Sequence, residues 1–88
     1  MSREEIRAAV LHALGEVAPE ADLAALRPDV PFREQLDLDS MDVLNFIIGL
    51  DQALKVAIPE SDYPRIATLS SCVAYLEAKV SAGSSFVR

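Results

Sequence analysis

The chain is poor in the residues from which many functional sites are built. Its single cysteine, Cys72, excludes an internal disulfide and a cysteine-rich metal centre. Its single histidine, His12, lies in a stretch with helical period, where an exposed side chain is the simplest reading. Glycine occurs only three times, and no Gly-x-Ser-x-Gly turn is present to strain a serine into a nucleophile. No apolar run approaches the roughly 20 residues that span a bilayer. Basic residues are also scarce: 8 Lys and Arg against 14 Asp and Glu give a net charge of −6. Such a surface repels nucleic acid and anionic lipid and favours basic protein partners, although acidity by itself also simply keeps a protein in solution. The opening Met-Ser-Arg-Glu-Glu-Ile has acids where a secretory signal has a basic then an apolar stretch, so a cytoplasmic location is expected.

What is present points to helices. Half the residues are apolar, many of them alanine, and the 88 residues suffice for one domain with a thin core. The five prolines, Pro19, Pro28, Pro31, Pro59 and Pro64, all fall outside the stretches with helical period. Ser2 followed by Glu5 is a capping-box pattern. From there Ile6, Val10, Ala13, Leu14 and Val17 recur on one face, which predicts a helix over 3–17. Residues 18–39 lack sustained period, yet Leu23, Leu26, Val30, Phe32, Leu36 and Leu38 are spread through them. They predict a long loop pinned across the helices, with one short helical turn near 22–26 or 32–36.

Asp39 opens a second helix that runs to Leu54. Its polar positions Asp42, Asn45, Gly49 and Gln52 form one narrow stripe, and most of the rest is apolar. Such a helix is central to the core, presented to partners, or both. Lys55 to Pro59 connects to a short third helix over 60–66, and Thr68 is a candidate N-cap for the last one. There Leu69, Val73, Leu76 and Val80 share a face flanked by Cys72 and Tyr75. The expected organisation is an all-α domain over 1–80, a four-helix bundle with a long first loop and a short third helix. Residues 81–88, with Ser-Ala-Gly-Ser-Ser, are expected to form a flexible tail.

Autonomous catalysis finds little support. A serine nucleophile needs a base and an oxyanion hole, and Cys72 falls within a helix, where a small packed side chain is expected. Asp39-Ser40 has two readings. Asp39 can cap the helix with Ser40 at its first position, as in many helices. A helix N-terminus, with free N–H groups and a favourable dipole, also suits a phosphate.

The sequence Leu36-Asp37-Leu38-Asp39-Ser40-Met41-Asp42 resembles the signature of acyl carrier proteins, usually written Leu-Gly-x-Asp-Ser-Leu. The resemblance continues through the apolar second helix, Val56-Ala57-Ile58-Pro59, Thr68-Leu69 and Tyr75-Leu76-Glu77. It implies a four-helix bundle of acyl-carrier type that performs no reaction itself. A separate phosphopantetheinyl transferase would move 4′-phosphopantetheine from coenzyme A onto Ser40, with Asp39 helping that enzyme dock or bind its magnesium. An acyl-loading ligase or synthase and acyl-transferring enzymes would follow as partners of a monomeric carrier, with no nucleic acid or membrane involved. Asp37, Met41, Asp42, Asn45, Asp51 and Ile58 are the expected partner-facing residues. Leu44, Phe46, Ile47 and Ile66 are expected to line an apolar cleft for the acyl chain, with Met41, Leu44 and Ile58 bordering the arm's emergence.

Two departures from the family pattern stand out. Asp37 replaces the usual glycine, and Asn45, Gln52 and Ala53 stand where fatty-acid-synthase carriers often have acids. Phe46 and Ile47 would then add apolar partner contact, which favours a specialised carrier over the housekeeping one. A peptidyl or aminoacyl carrier, usually bearing Gly-Gly-x-Ser, and an unmodified helical interaction module are the alternative readings.

Overall fold

The computed structural model describes residues 2–86, with side chains described for residues 2–80. The chain is helical throughout, with no strand among the described residues: α1 (Arg3–Val17), α2 (Phe32–Leu36), α3 (Ser40–Leu54) and α4 (Leu69–Phe86). Short 3₁₀ segments at Leu23–Ala25 and Glu60–Ile66 complete it. α1 packs on α3 and α4, and the Glu60–Ile66 segment packs on α4.

Each long helix starts where a side chain satisfies a free backbone N–H. At α1 the Ser2 N–H donates to Glu5 Oε1 at 2.8 Å and the Glu5 N–H donates to Ser2 Oγ at 3.1 Å. Those contacts, the Ser2 N–H first, hold the Glu5 carboxyl below its ordinary value. At α4 the Ser71 N–H donates to Thr68 Oγ1 at 3.1 Å. α3 ends at Lys55, whose left-handed backbone (φ 56°) lets the Lys55 and Val56 N–H groups both reach Asp51 O.

The core is the convergence of the expected faces. Ile6, Val10 and Leu14 of α1, Ile47 and Leu50 of α3, and Cys72 and Leu76 of α4 are almost completely enclosed. Each large apolar side chain buried there contributes roughly 1.5–3 kcal/mol.

One expectation needs correction. Both candidate turns of the long loop form, one 3₁₀ and one α-helical. Polar contacts that periodicity does not reveal hold them. Gln35 donates to Arg27 O at 2.7 Å and Val30 O at 2.8 Å, and accepts from the Arg27 N–H at 2.8 Å. The loop backbone is tied to the far side of the bundle by Phe32 N–H to Ala67 O (2.8 Å) and Ser70 N–H to Pro28 O (3.0 Å). α4 continues to Phe86, through most of the residues expected to form a tail. Extending a formed helix through Ala and Ser costs little, and Gly83 costs only about 1 kcal/mol relative to alanine. The rest of the expected tail, residues 87–88, lies outside the described residues.

Candidate functional site

The turn from α2 into α3 places Ser40. Asp37 closes α2 in the left-handed region (φ 55°, ψ 46°), which reverses the chain. That conformation costs most side chains about 1–2 kcal/mol, but aspartate is among the residues that visit it. The aspartate in place of glycine therefore still makes the turn. Leu38 is buried and anchors the segment, and Asp39 is extended.

Asp39 then caps α3 reciprocally. The Asp42 N–H donates to Asp39 Oδ1 at 2.8 Å, and the Asp39 N–H donates to Asp42 Oδ2 at 3.3 Å. Ser40 occupies the first helical position and is exposed. The N–H groups of Ser40 and Met41 find no acceptor among the described residues. A phosphodiester on Ser40 Oγ suits this place, because free N–H groups and the positive helix end favour an anion. Asp37 and Asp42 flank the serine with negative charge, which favours a basic partner.

The expected partner-facing residues separate into two groups. Asp37, Met41 and Asn45 are exposed and Asp42 is partly so. Ile58 is buried, at 6% exposure, in the connection after α3. Asp51 is half-buried and its Oδ1 accepts from the Ile58 N–H at 3.3 Å, which fixes that connection to α3.

The expected cleft residues also separate. Phe46 and Ile66 line an apolar cleft of about 300 Å³ together with Phe32, Leu38, Val43 and Tyr63. The Phe32 and Phe46 rings meet edge to face at 5.4 Å. Leu44 is 41% exposed and lies outside this cleft. With about 3.6 residues per turn, a position two away from Phe46 points to nearly the opposite side. Ile47 is 1% exposed and belongs to the core rather than the cleft. Phe46, expected with Ile47 to add apolar partner contact, is likewise buried, at 2% exposure. The exposed apolar residues of α3 are Met41, Leu44 and Ile48, spaced along one face.

One wall of the cleft is held by polar contacts behind it. Tyr75 donates from its hydroxyl to Asp62 Oδ2 at 2.6 Å, and Arg65 lies over its ring at 4.9 Å. Burial, followed by the hydrogen bond and charge of Asp62, pushes the Tyr75 phenol up to about 12. Phe32, Leu38, Val43 and Tyr63 were not among the cleft residues expected from sequence. The aromatic Phe32 and Tyr63, each beside a proline in a segment without period, were the signal available. No group of three or more His, Cys, Asp or Glu among the described residues is arranged to hold a metal ion. No helix among them is long and apolar enough to cross a membrane.

Residues 4–76 match the protein family described as phosphopantetheine attachment site. Among relatives, the acyl carrier protein of Helicobacter hepaticus is 32% identical over 75 residues, covering 85% of this chain and 92% of that protein. That of Rubrobacter xylanophilus is 32% identical over 79 residues, covering 86% and 93%. A solved structure of an acyl carrier protein from Enterococcus faecalis shares the fold, with a TM-score of 0.75 and 22% identity over 90% of this chain and 99% of that one. The chain belongs to the acyl carrier protein family. Its cofactor is covalently attached 4′-phosphopantetheine, and it is a carrier rather than an enzyme. Phosphopantetheinyl transferase and acyl-handling enzymes are the partners of this family.

Proposed function

We propose that Ser40 Oγ is the attachment atom and that the chain holds acyl groups for a specialised pathway. The observation that carries the assignment is Ser40 itself, exposed at the first position of a doubly capped helix with two free N–H groups beside it. When bound, the cofactor supplies a terminal thiol on which acyl groups are held as thioesters. Tethering raises the effective concentration of the cargo at each enzyme, so partner affinity stays weak and exchange fast. Asp39 shapes the turn and presents Ser40, and its carboxylate also serves the transferase. Phe46 and Ile66 form, with Phe32 and Val43, the wall against which the acyl chain rests.

The outward face of α3 supports a specialised role. It presents Met41, Leu44 and Ile48 beside Asp42, Asn45 and Gln52, an apolar stripe with thinned acidity continuous with Ser40. A partner reading this face gains from apolar contact and less from charge, so its uptake falls only weakly with added salt.

The attachment is tested by incubating the protein with coenzyme A, magnesium and a broad-specificity transferase, then measuring intact mass. The wild type gains one phosphopantetheine and Ser40→Ala gains none. An unchanged wild-type mass across several transferases refutes the assignment. The specialised role fails if housekeeping condensing enzymes use the loaded protein as efficiently as their own carrier.

A further inference from the structure

The cleft beside Phe46 is apolar except at its edge. Arg33 is the one charged residue in its lining, and the half-buried Tyr63 is the lining's other polar side chain. Neither side chain has a hydrogen-bond partner among the described residues. The chain carries 14 acidic residues, two of them, Glu34 and Asp37, close to Arg33 in sequence, yet Arg33 pairs with none described. The ion pair formed among the described residues is Arg3 with Glu77, on another part of the surface.

Position adds direction. Arg33 follows Phe32, whose N–H is fastened to Ala67 O at 2.8 Å. It therefore sits where α2 begins, whereas Leu38 and Val43 line the part of the cleft nearer to Ser40 along the chain. The cleft's 300 Å³ stands at the low end of ligand pockets. If each methylene takes about the 30 Å³ of a liquid water, it accepts about ten such groups at most.

We infer that the cleft takes a short acyl chain ending in a carboxylate, with its methylenes against Phe32, Phe46 and Ile66 and its terminal carboxylate paired with Arg33. The inference rests on the carrier reading of Ser40. The chemistry is favourable because the two ends of such a chain meet different surroundings. The methylenes leave water, whereas the carboxylate stays at an exposed rim and keeps part of its hydration, avoiding the desolvation that penalises buried charge. The guanidinium fork matches a carboxylate bidentately, and its methylene stem already covers apolar surface. A methyl-ended chain of the same length would leave that fork unused.

The experiment compares two six-carbon cargoes, hexanoyl and adipyl, each loaded on the arm from its coenzyme A thioester. Intact mass first verifies one arm on Ser40. The rate of thioester cleavage by hydroxylamine is then measured and normalised to the free coenzyme A thioester. Adipyl is cleaved about two- to five-fold more slowly than hexanoyl, the effect of one exposed ion pair. Arg33→Met, which keeps the stem and removes the charge, brings the two rates together, and Arg33→Lys restores part of the difference. Arg33 is exposed, and circular dichroism with thermal melting checks that these variants keep the fold. Equal normalised rates in the wild type, or a difference that survives Arg33→Met, overturn the inference while leaving the carrier reading intact. Absence of any mass gain overturns the carrier reading and this inference with it.

Discussion

Asp39 has two separable tasks, and two substitutions divide them. Its carboxylate accepts the Asp42 N–H at 2.8 Å, and its own N–H donates to Asp42. Asp39→Ala removes the cap acceptor, a loss of about 1 kcal/mol within a typical range of about 0.5–2. For a domain of this size each kcal/mol shifts Tm by roughly 4–8 °C. Asp39→Asn keeps an oxygen in the same place, and asparagine caps about as well as aspartate. It forfeits a charge–dipole attraction of about 0.3–1 kcal/mol, offset by less repulsion from Asp37 and Asp42. Its melting point therefore stays within about 4 °C of wild type. Thermal unfolding followed by circular dichroism, paired with initial rates of phosphopantetheine uptake by intact mass, reads both tasks. If the carboxylate serves the transferase, uptake drops in both variants while stability drops chiefly in Asp39→Ala. Wild-type melting of Asp39→Ala would refute the capping account. Wild-type uptake by Asp39→Asn would refute the role of the charge.

Other consequences follow from burial and backbone. Burial pushes the Cys72 thiol up to about 12, so native apo protein should resist thiol reagents at pH 8, while the phosphopantetheine-loaded protein shows one reactive thiol, measured by chromogenic thiol titration. The raised value also means that stability is fully present below the ordinary thiol value of 9.0 and lost as pH climbs from there towards 12. Cys72 contributes about 1.4 kcal/mol per pH unit in that window, and Cys72→Ala flattens the slope in denaturant titrations. Phe46→Ala removes a ring at 2% exposure and its contact with Phe32, costing about 3–5 kcal/mol by urea denaturation. Ile48→Ser, on the exposed face, stays within about 0.5 kcal/mol of wild type but lowers uptake by partner enzymes. Lys55→Gly relieves a left-handed backbone and raises stability by about 0.5–1 kcal/mol, seen as a higher denaturation midpoint.

The fold was legible wherever a local rule decided it. Ser2 with Glu5, Asp39 as cap and Thr68 as cap each name a helix start, and the spacing of Ile6, Val10 and Leu14 names a buried face. The long loop resisted because its order comes from contacts distant in sequence. Gln35 reaches back to Arg27, Pro28 bonds to Ser70 in the first turn of α4, and Phe32 bonds to Ala67 just before that helix. None of these has a period. Serine and glycine weaken a helix without ending it, and α4 runs on through Ser81, Gly83 and Ser84 to Phe86.

The candidate site was legible in one dimension and not in the other. Along the chain, Asp39 and Ser40 stand where the motif places them, because a cap and a first position are local facts. Around α3 the reading failed, because a helix apolar over most of its circumference leaves its orientation undetermined. The polar stripe of Asp42, Asn45, Gly49 and Gln52 borders a groove against α1, where a Cβ added at Gly49 would lie 3.6 Å from Ala13 Cβ. Met41, Leu44 and Ile48 stand outward on α3, while Phe46 lines the cleft. A Cβ at Gly49 would make ordinary van der Waals contact there, whereas a larger side chain would meet α1. Gly49→Leu should push the two helices apart and disturb both surfaces at once, whereas Ile48→Ser should alter only the outer one.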